Sequence, residues 1–191
     1  WKSKSDIPKE YTGNCYAGGY ALEVKNGRIT WSKNMKTNKI TRPGSKKSTV
    51  KTKKLKGSYY KIISKSKRTV QYVKPVKKNI ISVTIPSSIK LNGKRYKVTG
   101  IVANAFKNCK KLKKVTIGIN VNSIGKRAFY GCSKLQTIKV KTSKLTGSRV
   151  GKQAFKGLNK KAVIKVPKKQ LKAYKRLFRV KGVGKKVTIK K

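Results

Sequence analysis

Apolar positions recur at a fixed interval within residues 80–166, and this recurrence is the main structural signal in the chain. The motif Ala105-Phe106-x-x-Cys109-x-x-Leu112-x-x-Val115-x-Ile117 returns, with the same shift at every position, as Ala128-Phe129-x-x-Cys132-x-x-Leu135-x-x-Ile138-x-Val140. Each copy joins a short alternating strand to an Ala-Phe turn, and one copy cannot bury its own apolar side. The repeat therefore predicts a solenoid, in which stacked copies align Phe106, Phe129 and Phe155 one above another.

Two less regular copies flank this pair. A third copy is stretched by a short insertion and reads Val150-Gly151-x-x-Ala154-Phe155-x-x-Leu158, then Ile164-x-Val166. In this copy we expect Leu158 at the position of the cysteine and Lys161 at the position of Leu112 and Leu135. An earlier copy, from Ile80 to Ile101, is interrupted by Asn92-Gly93, a pair that predicts a type I′ hairpin.

The segments on either side of the repeats are expected to cap the open ends of the solenoid. Residues 59–79 predict an N-terminal cap, with a hairpin over 59–73 that turns through 64–67. Residues 167–191 predict a C-terminal cap, because Leu171, Tyr174, Leu177 and Phe178 form the apolar stripe of a helix. A short strand at 187–189 follows two glycines. We interpret this helix as docked on the core rather than on a membrane surface.

Residues 1–58 are assigned to a separate N-terminal segment. Residues 20–31 alternate around Asn26-Gly27, which predicts a second hairpin. Residues 32–57 are rich in Lys, Ser, Thr and Asn and are interpreted as a linker or mobile loop. Because the chain begins with Trp1, we interpret it as a mature product or an excised fragment.

The repeat resembles the leucine-rich repeats of the BspA type, a variety also known from Treponema pallidum. The resemblance covers about residues 80–166 and rests on the pattern I-x-x-x-A-F-x-x-C-x-x-L-x-x-V-x-I. It implies a short leucine-rich-repeat solenoid. Together with the caps predicted from the flanking residues, this gives an α+β repeat fold with a β-hairpin at the N-terminal end and a helix plus strand at the C-terminal end. The resemblance also implies an exported bacterial protein, located outside the cell at its surface, that serves adhesion or display.

Charge is distributed very unevenly along the sequence. The acidic residues are Asp6, Glu10 and Glu23, and the segment 1–23 that holds them also contains three lysines. Residues 24–191 therefore carry the whole formal charge of +51. Such self-repulsion opposes compaction and is informative about partners rather than architecture. We infer a polyanionic partner.

The basic residues are 46 lysines and 8 arginines. Lysine is a flexible, hydrated point charge, whereas arginine recognises phosphate and base edges through a rigid fork. The composition therefore favours diffuse attraction over sequence-specific readout. Because the repeat columns fix the inward positions, the remaining basic side chains must face outward. The candidate polyanion-binding residues are Lys107, Lys110, Lys111, Lys113, Lys114, Lys126, Arg127, Lys134, Lys139, Lys152, Lys156 and Lys165.

Composition argues against catalysis. The chain contains no histidine, and its few carboxylates are confined to the N-terminal segment. No nucleophile–base pair, paired-carboxylate site, zinc motif or phosphate-binding loop can be assembled. We therefore predict no enzyme activity, no catalytic residues, no cofactor and no metal.

Cys109 and Cys132 occupy equivalent repeat positions and invite a redox interpretation. Stacked coils place equivalent Cα atoms within disulfide range, but side chains along one column point parallel to each other. We favour free buried thiols, with a disulfide left as the alternative.

Three functions remain open. The first is a cationic cell-surface module that binds anionic polymers, namely wall teichoic acid, acidic glycans or extracellular nucleic acid. The second is a protein-binding adhesion or display module that uses its strand face, with the charge serving solubility or contact with acidic modules. The third and weakest is a non-specific nucleic-acid-binding protein.

No apolar run is long enough to span a membrane, and we expect the isolated module to be a monomer.

Overall fold

The computed structural model of the protein describes residues 13–17, 20–25, 28–34, 39–41 and 52–191. The chain divides into two compact units, Trp1–Thr49 and Val50–Lys191. The first unit contains an antiparallel sheet with the order β1-β2-β3-β4. Its strands are β1 (Gly13–Ala17), β2 (Tyr20–Lys25), β3 (Arg28–Asn34) and β4 (Lys39–Thr41).

The hairpin predicted around Asn26-Gly27 is confirmed as the pair β2–β3, with Lys25 opposite Arg28. The prediction of a linker over 32–57 is wrong for part of that stretch. Strand β3 extends to Asn34, and β4 pairs with it. A further strand, β5 (Thr52–Leu55), belongs to the second unit. The low apolar content of these segments concealed them, because backbone pairing does not require apolar side chains. Lys56 and Gly57 form the turn that follows β5, and residues 35–38 and 42–51 lie outside the described residues.

The second unit begins with a mixed sheet of order β12-β10-β7-β6-β5, in which β9 also pairs with β10. The additional strands are β6 (Ser58–Ser64), β7 (Thr69–Pro75), β9 (Ser88–Leu91), β10 (Lys94–Ile101) and β12 (Ser123–Ile124). The hairpin predicted over 59–73 is confirmed as β6–β7. The Asn92-Gly93 turn between β9 and β10 has φ values of 48° and 72°, as a type I′ turn requires.

A parallel sheet of order β15-β14-β13-β11-β8 forms one wall of the repeats. Its strands are β8 (Ser82–Ile85), β11 (Lys114–Ile117), β13 (Thr137–Val140), β14 (Val163–Lys165) and β15 (Thr188–Lys190). Each coil adds the next strand, so the sequence repeat becomes a spatial repeat. Val115 pairs with Ile138 and Ile138 with Ile164, and all three side chains are buried. This alternation leaves every second residue of each strand on the outer face.

The predicted alignment of the phenylalanines is confirmed. The ring centroids of Phe106 and Phe129 are 5.0 Å apart, those of Phe129 and Phe155 are 5.5 Å apart, and both pairs are stacked. The ladder also has a further rung at each end. Tyr72 stacks on Phe106 at 5.0 Å, and Phe178 packs on Phe155 at 5.0 Å. The core therefore runs continuously from the β6–β7 hairpin to the C-terminal helix.

The third coil differs from its prediction. Lys161 is exposed, and Ala162, with no exposed surface, fills the buried position expected there. The Ala162 N–H donates to the carbonyl oxygen of Asn159 at 3.0 Å, as Leu112 N–H does to the residue three before it. Leu158 packs against the core but is only partly buried. The spacing from Phe155 to Ile164 equals that from Phe129 to Ile138, so the buried side chain lies one position later although this turn has the same length.

The C-terminal segment contains a 3₁₀ turn, Lys168–Gln170, and the helix α1, Leu171–Val180. Tyr174 and Phe178 on this helix are buried, which confirms that its apolar stripe docks on the core. Within the described residues, no helix is long and apolar enough to cross a membrane.

Candidate polyanion-binding surface

The structure places the lysines predicted to bind polyanions on the surface. Every one of them is exposed, and they divide between the turns and the outer face of the parallel sheet. The exposed lysines are Lys107, Lys110, Lys111, Lys113, Lys114, Lys126, Lys134, Lys139, Lys152, Lys156 and Lys165. Exposure follows from the fold, because the apolar columns occupy the inward positions of each coil.

Arg127 behaves differently from the lysines. It is partly buried, and its Nε donates a hydrogen bond of 2.9 Å to Oε1 of Gln153 on the next coil. Its guanidinium also lies 5.5 Å from the ring centroid of Tyr130. These contacts fix the side chain between two coils, so Arg127 contributes charge to the surface but has fewer donors available to a ligand.

Among the turns, equivalent basic positions fall on adjacent coils. Lys111 and Lys134 occupy the same position in successive copies of the motif, each directly before its leucine. Lys126 and Lys152 are also equivalent, since the carbonyl oxygen of each accepts a hydrogen bond from the preceding coil. Equivalent atoms on adjacent coils are separated by about 5 Å, the spacing of neighbouring strands. The structure thus turns a sequence repeat into short rows of ammonium groups.

The strand face carries the most regular row. In the parallel register Thr116 lies beside Lys139, Lys139 beside Lys165, and Lys165 beside Lys190. We call Lys139, Lys165 and Lys190 the lysine column. Lys190 was not among the predicted residues, because its strand lacks the Ala-Phe motif that would have set its register. Its position could be found only from the pairing of β15 with β14.

No acidic side chain offsets the lysine column within residues 52–191, since this range contains no Asp or Glu. Like charges placed directly opposite each other on neighbouring strands oppose pairing. The parallel sheet keeps them together because the opposite faces of its strands are buried. The repulsion between these ammonium groups is relieved when an anion lies along the column. This arrangement can therefore attract a linear polyanion.

The cysteines contribute to the core rather than to a reactive site. Cys109 and Cys132 are buried, and both thiols are free, as we favoured from the sequence. The Cys132 Sγ donates to the carbonyl oxygen of Phe106 at 3.1 Å. Burial raises the pKa of Cys132 to about 12 and also raises that of Cys109. Both groups are protonated near neutral pH and are poor nucleophiles. Within the described residues, no cluster of His, Cys, Asp or Glu could hold a metal ion.

Comparison with known proteins identifies the family. Residues 76–191 match the BspA type Leucine rich repeat region in six copies. The chain therefore belongs to the BspA-type leucine-rich repeat family, and the resemblance noted from the sequence is confirmed. The match extends beyond residue 166, so the C-terminal helix and strand belong to the repeat region.

Several solved structures are similar. A leucine rich cell surface protein from Faecalibacterium prausnitzii is 20% identical, with a TM-score of 0.47, and the match covers 62% of this chain and 37% of that one. A leucine-rich repeat protein from Bacteroides capillosus is 21% identical, with a TM-score of 0.48, covering 72% of this chain and 97% of that one. The Treponema pallidum leucine-rich repeat protein is 19% identical, with a TM-score of 0.40, and the shares are 61% and 72%.

The chain spans little more than a third of the length of the Faecalibacterium protein and of a leucine-rich repeat protein from Bacteroides ovatus. No curated protein matches the chain.

Proposed function

We propose that the protein is a non-enzymatic module of a bacterial cell-surface protein that binds anionic polymers through diffuse electrostatics. The observation that carries this proposal is the lysine column, Lys139, Lys165 and Lys190, on a face without acidic residues. The rows of turn lysines extend the same field around the coils. Wall teichoic acid, acidic glycans and extracellular nucleic acid all present closely spaced anions to such a surface.

The predominance of lysine supports diffuse binding. A lysine contact neutralises an anion and releases its counterion without fixing the orientation of the ligand. Exposed tyrosine or tryptophan rings would add base stacking, but Tyr60, Tyr72, Tyr96 and Tyr174 are buried. Tyr59 and Tyr130 are partly exposed, and Lys74 and Arg127 lie 5.5 Å from their respective ring centroids. We therefore infer a preference set by charge density rather than by sequence.

We also infer that the β6–β7 hairpin and the α1–β15 segment act as caps. Tyr72 and Phe178 supply the end rungs of the aromatic ladder. Covered ends favour a monomeric module, because an open coil would expose apolar surface to another copy.

The test is affinity chromatography and titration on heparin, double-stranded DNA and wall teichoic acid over a range of salt concentrations. We expect all three to bind at low salt and to be released as salt rises, because each contact releases a counterion. Retention on heparin that does not respond to salt would refute the proposal. Binding to DNA alone would favour the non-specific nucleic-acid-binding alternative.

Protein-mediated adhesion is the second candidate, and one feature of the sheet favours it. The N-terminal half of the strand face carries one exposed lysine, Lys114, among uncharged residues. These are Ser82, Thr84, Thr116 and Thr137. A protein could dock there while the lysines maintain solubility. Such a complex would survive 0.5 M salt, where the Debye length is only a few Å, whereas polyanion binding would not.

A further inference from the structure

A cavity of about 470 Å³ lies where the β9–β10 hairpin approaches strands β5, β6 and β8. Its apolar lining includes Leu55, Pro86 and Ile89. Leu55 and Pro86 are partly exposed, whereas Ile89 is buried. This volume falls within the range of small-molecule sites in proteins. The cavity therefore offers a concave site, in contrast to the open lysine rows.

Three basic side chains, Lys56, Lys90 and Arg95, line the same cavity, and all are exposed. Arg95 lies directly opposite Lys90 in the antiparallel register of the hairpin. Its Nη1 is 3.5 Å from Oγ of Ser88, a long contact that leaves most of the guanidinium donors available. Two like charges in a directly paired position are unfavourable, and no acidic residue within 52–191 compensates for them. The rim thus attracts an anionic group.

Arg95 also borders a second cleft, which is lined by Lys67, Arg68 and Lys97. The two clefts are joined at one arginine, so a chain of anions can continue from the cavity along this cleft. Arginine binds carboxylate and sulfate through two parallel N–H donors, with a directionality that lysine lacks. Arg95 is therefore suited to orient one anionic group at the junction.

The apolar lining indicates what accompanies the anion. A nucleobase is normally held by stacking on an exposed aromatic ring. Tyr60 contributes to the lining, but it is only 3% exposed. The accessible apolar side chains are instead aliphatic, as at Leu55 and Pro86, and they suit the C–H face of a pyranose ring. The cavity thus combines a surface for a sugar ring with donors for its acidic substituent.

We propose that this cavity binds one acidic sugar unit, with the ring packed on Leu55 and Pro86 and its carboxylate or sulfate held by Arg95. This inference rests on the proposed function and refines it, because it selects acidic polysaccharides among the anionic polymers. The lysine rows supply affinity for any polyanion, and the cavity supplies the preference for a sugar.

The experiment is calorimetric titration of the full chain with a heparin-derived disaccharide that carries sulfates and a uronate. Separate titrations with glucuronic acid and with inorganic sulfate show which substituent is recognised. The key variant is Arg95→Lys, which preserves the net charge and removes the fork. Arg149→Lys is the matched control, because Arg149 is also exposed and lies directly before the third copy of the repeat. Thermal unfolding of each variant checks that the fold is retained.

We expect Arg95→Lys to weaken disaccharide binding by at least tenfold, whereas Arg149→Lys changes it less than twofold. Both variants should keep salt-dependent retention on a heparin column, since neither changes the net charge. In a labelled sample, the disaccharide should perturb the backbone signals of Leu55, Ser88 and Ile89.

Equal disaccharide affinity in both variants, or signal changes spread over the lysine rows, would refute the cavity as a site. So would a charge-matched trinucleotide that binds the cavity as tightly as the disaccharide. If the heparin column still shows salt-dependent retention in that case, the proposed function stands without the cavity. If the wild-type protein is not retained on heparin even at low salt, the proposed function itself is refuted.

Discussion

Replacement of Phe129 by alanine tests the stacked core at its centre. The Phe129 ring has no exposed surface and lies between Phe106 at 5.0 Å and Phe155 at 5.5 Å. Removing a buried phenylalanine side chain typically costs about 3–5 kcal/mol through lost transfer energy and the cavity left behind. Each aromatic contact contributes about 0.5–1.5 kcal/mol within such totals. Because the substitution removes the stacking contacts with both Phe106 and Phe155, we expect the free energy of unfolding to fall by about 4–5 kcal/mol.

The assay is equilibrium unfolding in urea, followed by circular dichroism. A loss of this size is a large fraction of the roughly 5–15 kcal/mol typical of whole domains. Coils in a repeat protein contact only their neighbours, so a gap at the centre also uncouples the two halves. The variant should therefore show a broader transition as well as a lower midpoint.

Ile119→Ala is the control, because Ile119 is 53% exposed and should change stability by no more than about 0.5 kcal/mol. Phe129→Leu retains part of the volume and should fall between the two variants. A loss below about 1.5 kcal/mol for Phe129→Ala, far short of the usual range, would refute a close-packed aromatic ladder.

Three further predictions concern the close packing of the coils. A Cβ on Gly125 would collide with the backbone of the preceding coil, so Gly125→Ala should cost about 1–3 kcal/mol in urea unfolding. Gly147→Ala, where no atom lies within 4 Å, should be nearly neutral. Tyr174→Phe should cost about 1–3 kcal/mol in the same assay, since it leaves the buried backbone N–H of Leu145 without an acceptor. An unchanged stability would contradict the hydrogen bond from this N–H to the Tyr174 hydroxyl. Iodoacetamide at pH 8.5, read by peptide mass spectrometry, should leave Cys109 and Cys132 unmodified in the native protein and modify both after unfolding. Burial raises the pKa of Cys132 to about 12, whereas the pKa of a thiol in the unfolded chain is about 8.5. The buried, protonated thiol therefore contributes its full stabilisation below about pH 8.5, and this stabilisation declines as the pH rises towards 12.

The regular part of the fold was predictable because the sequence repeats at a constant interval. A constant interval fixes which residues share a column, so Phe106 and Phe129 could be aligned before the structure was known. The Asn92-Gly93 turn was predictable for a different reason, since both residues tolerate the positive φ that a type I′ turn requires. Likewise the spacing of Tyr174 and Phe178 marks one face of a helix.

Features that depend on contacts between dissimilar segments could not be derived in this way. Tyr72 extends the ladder from outside the repeat motif, and no interval points to it. Phe178 does follow Phe155 at the 23-residue interval of the repeat, but it lies on a helix and lacks the preceding alanine of the motif. In the third coil the buried position is Ala162 although the turn from Phe155 to Ile164 keeps the length of the earlier turns, so the interval alone could not predict this change. The basic surface was predictable as a whole, since inward positions exclude lysine. The Arg95 cavity was not, because it forms only where the β9–β10 hairpin meets other strands.

The most direct test of the account is the salt dependence of DNA binding by a variant of the lysine column. Lys139→Thr, Lys165→Thr and Lys190→Thr together extend the residue type already present at Thr84 and Thr116 on the same face, so the fold should be preserved or slightly stabilised. Each lysine that neutralises a phosphate contributes about 0.9 to the slope of log affinity against log salt concentration. We predict that the triple variant lowers the magnitude of this slope by about 2–3. An unchanged slope in a folded variant would contradict binding of polyanions along the lysine column.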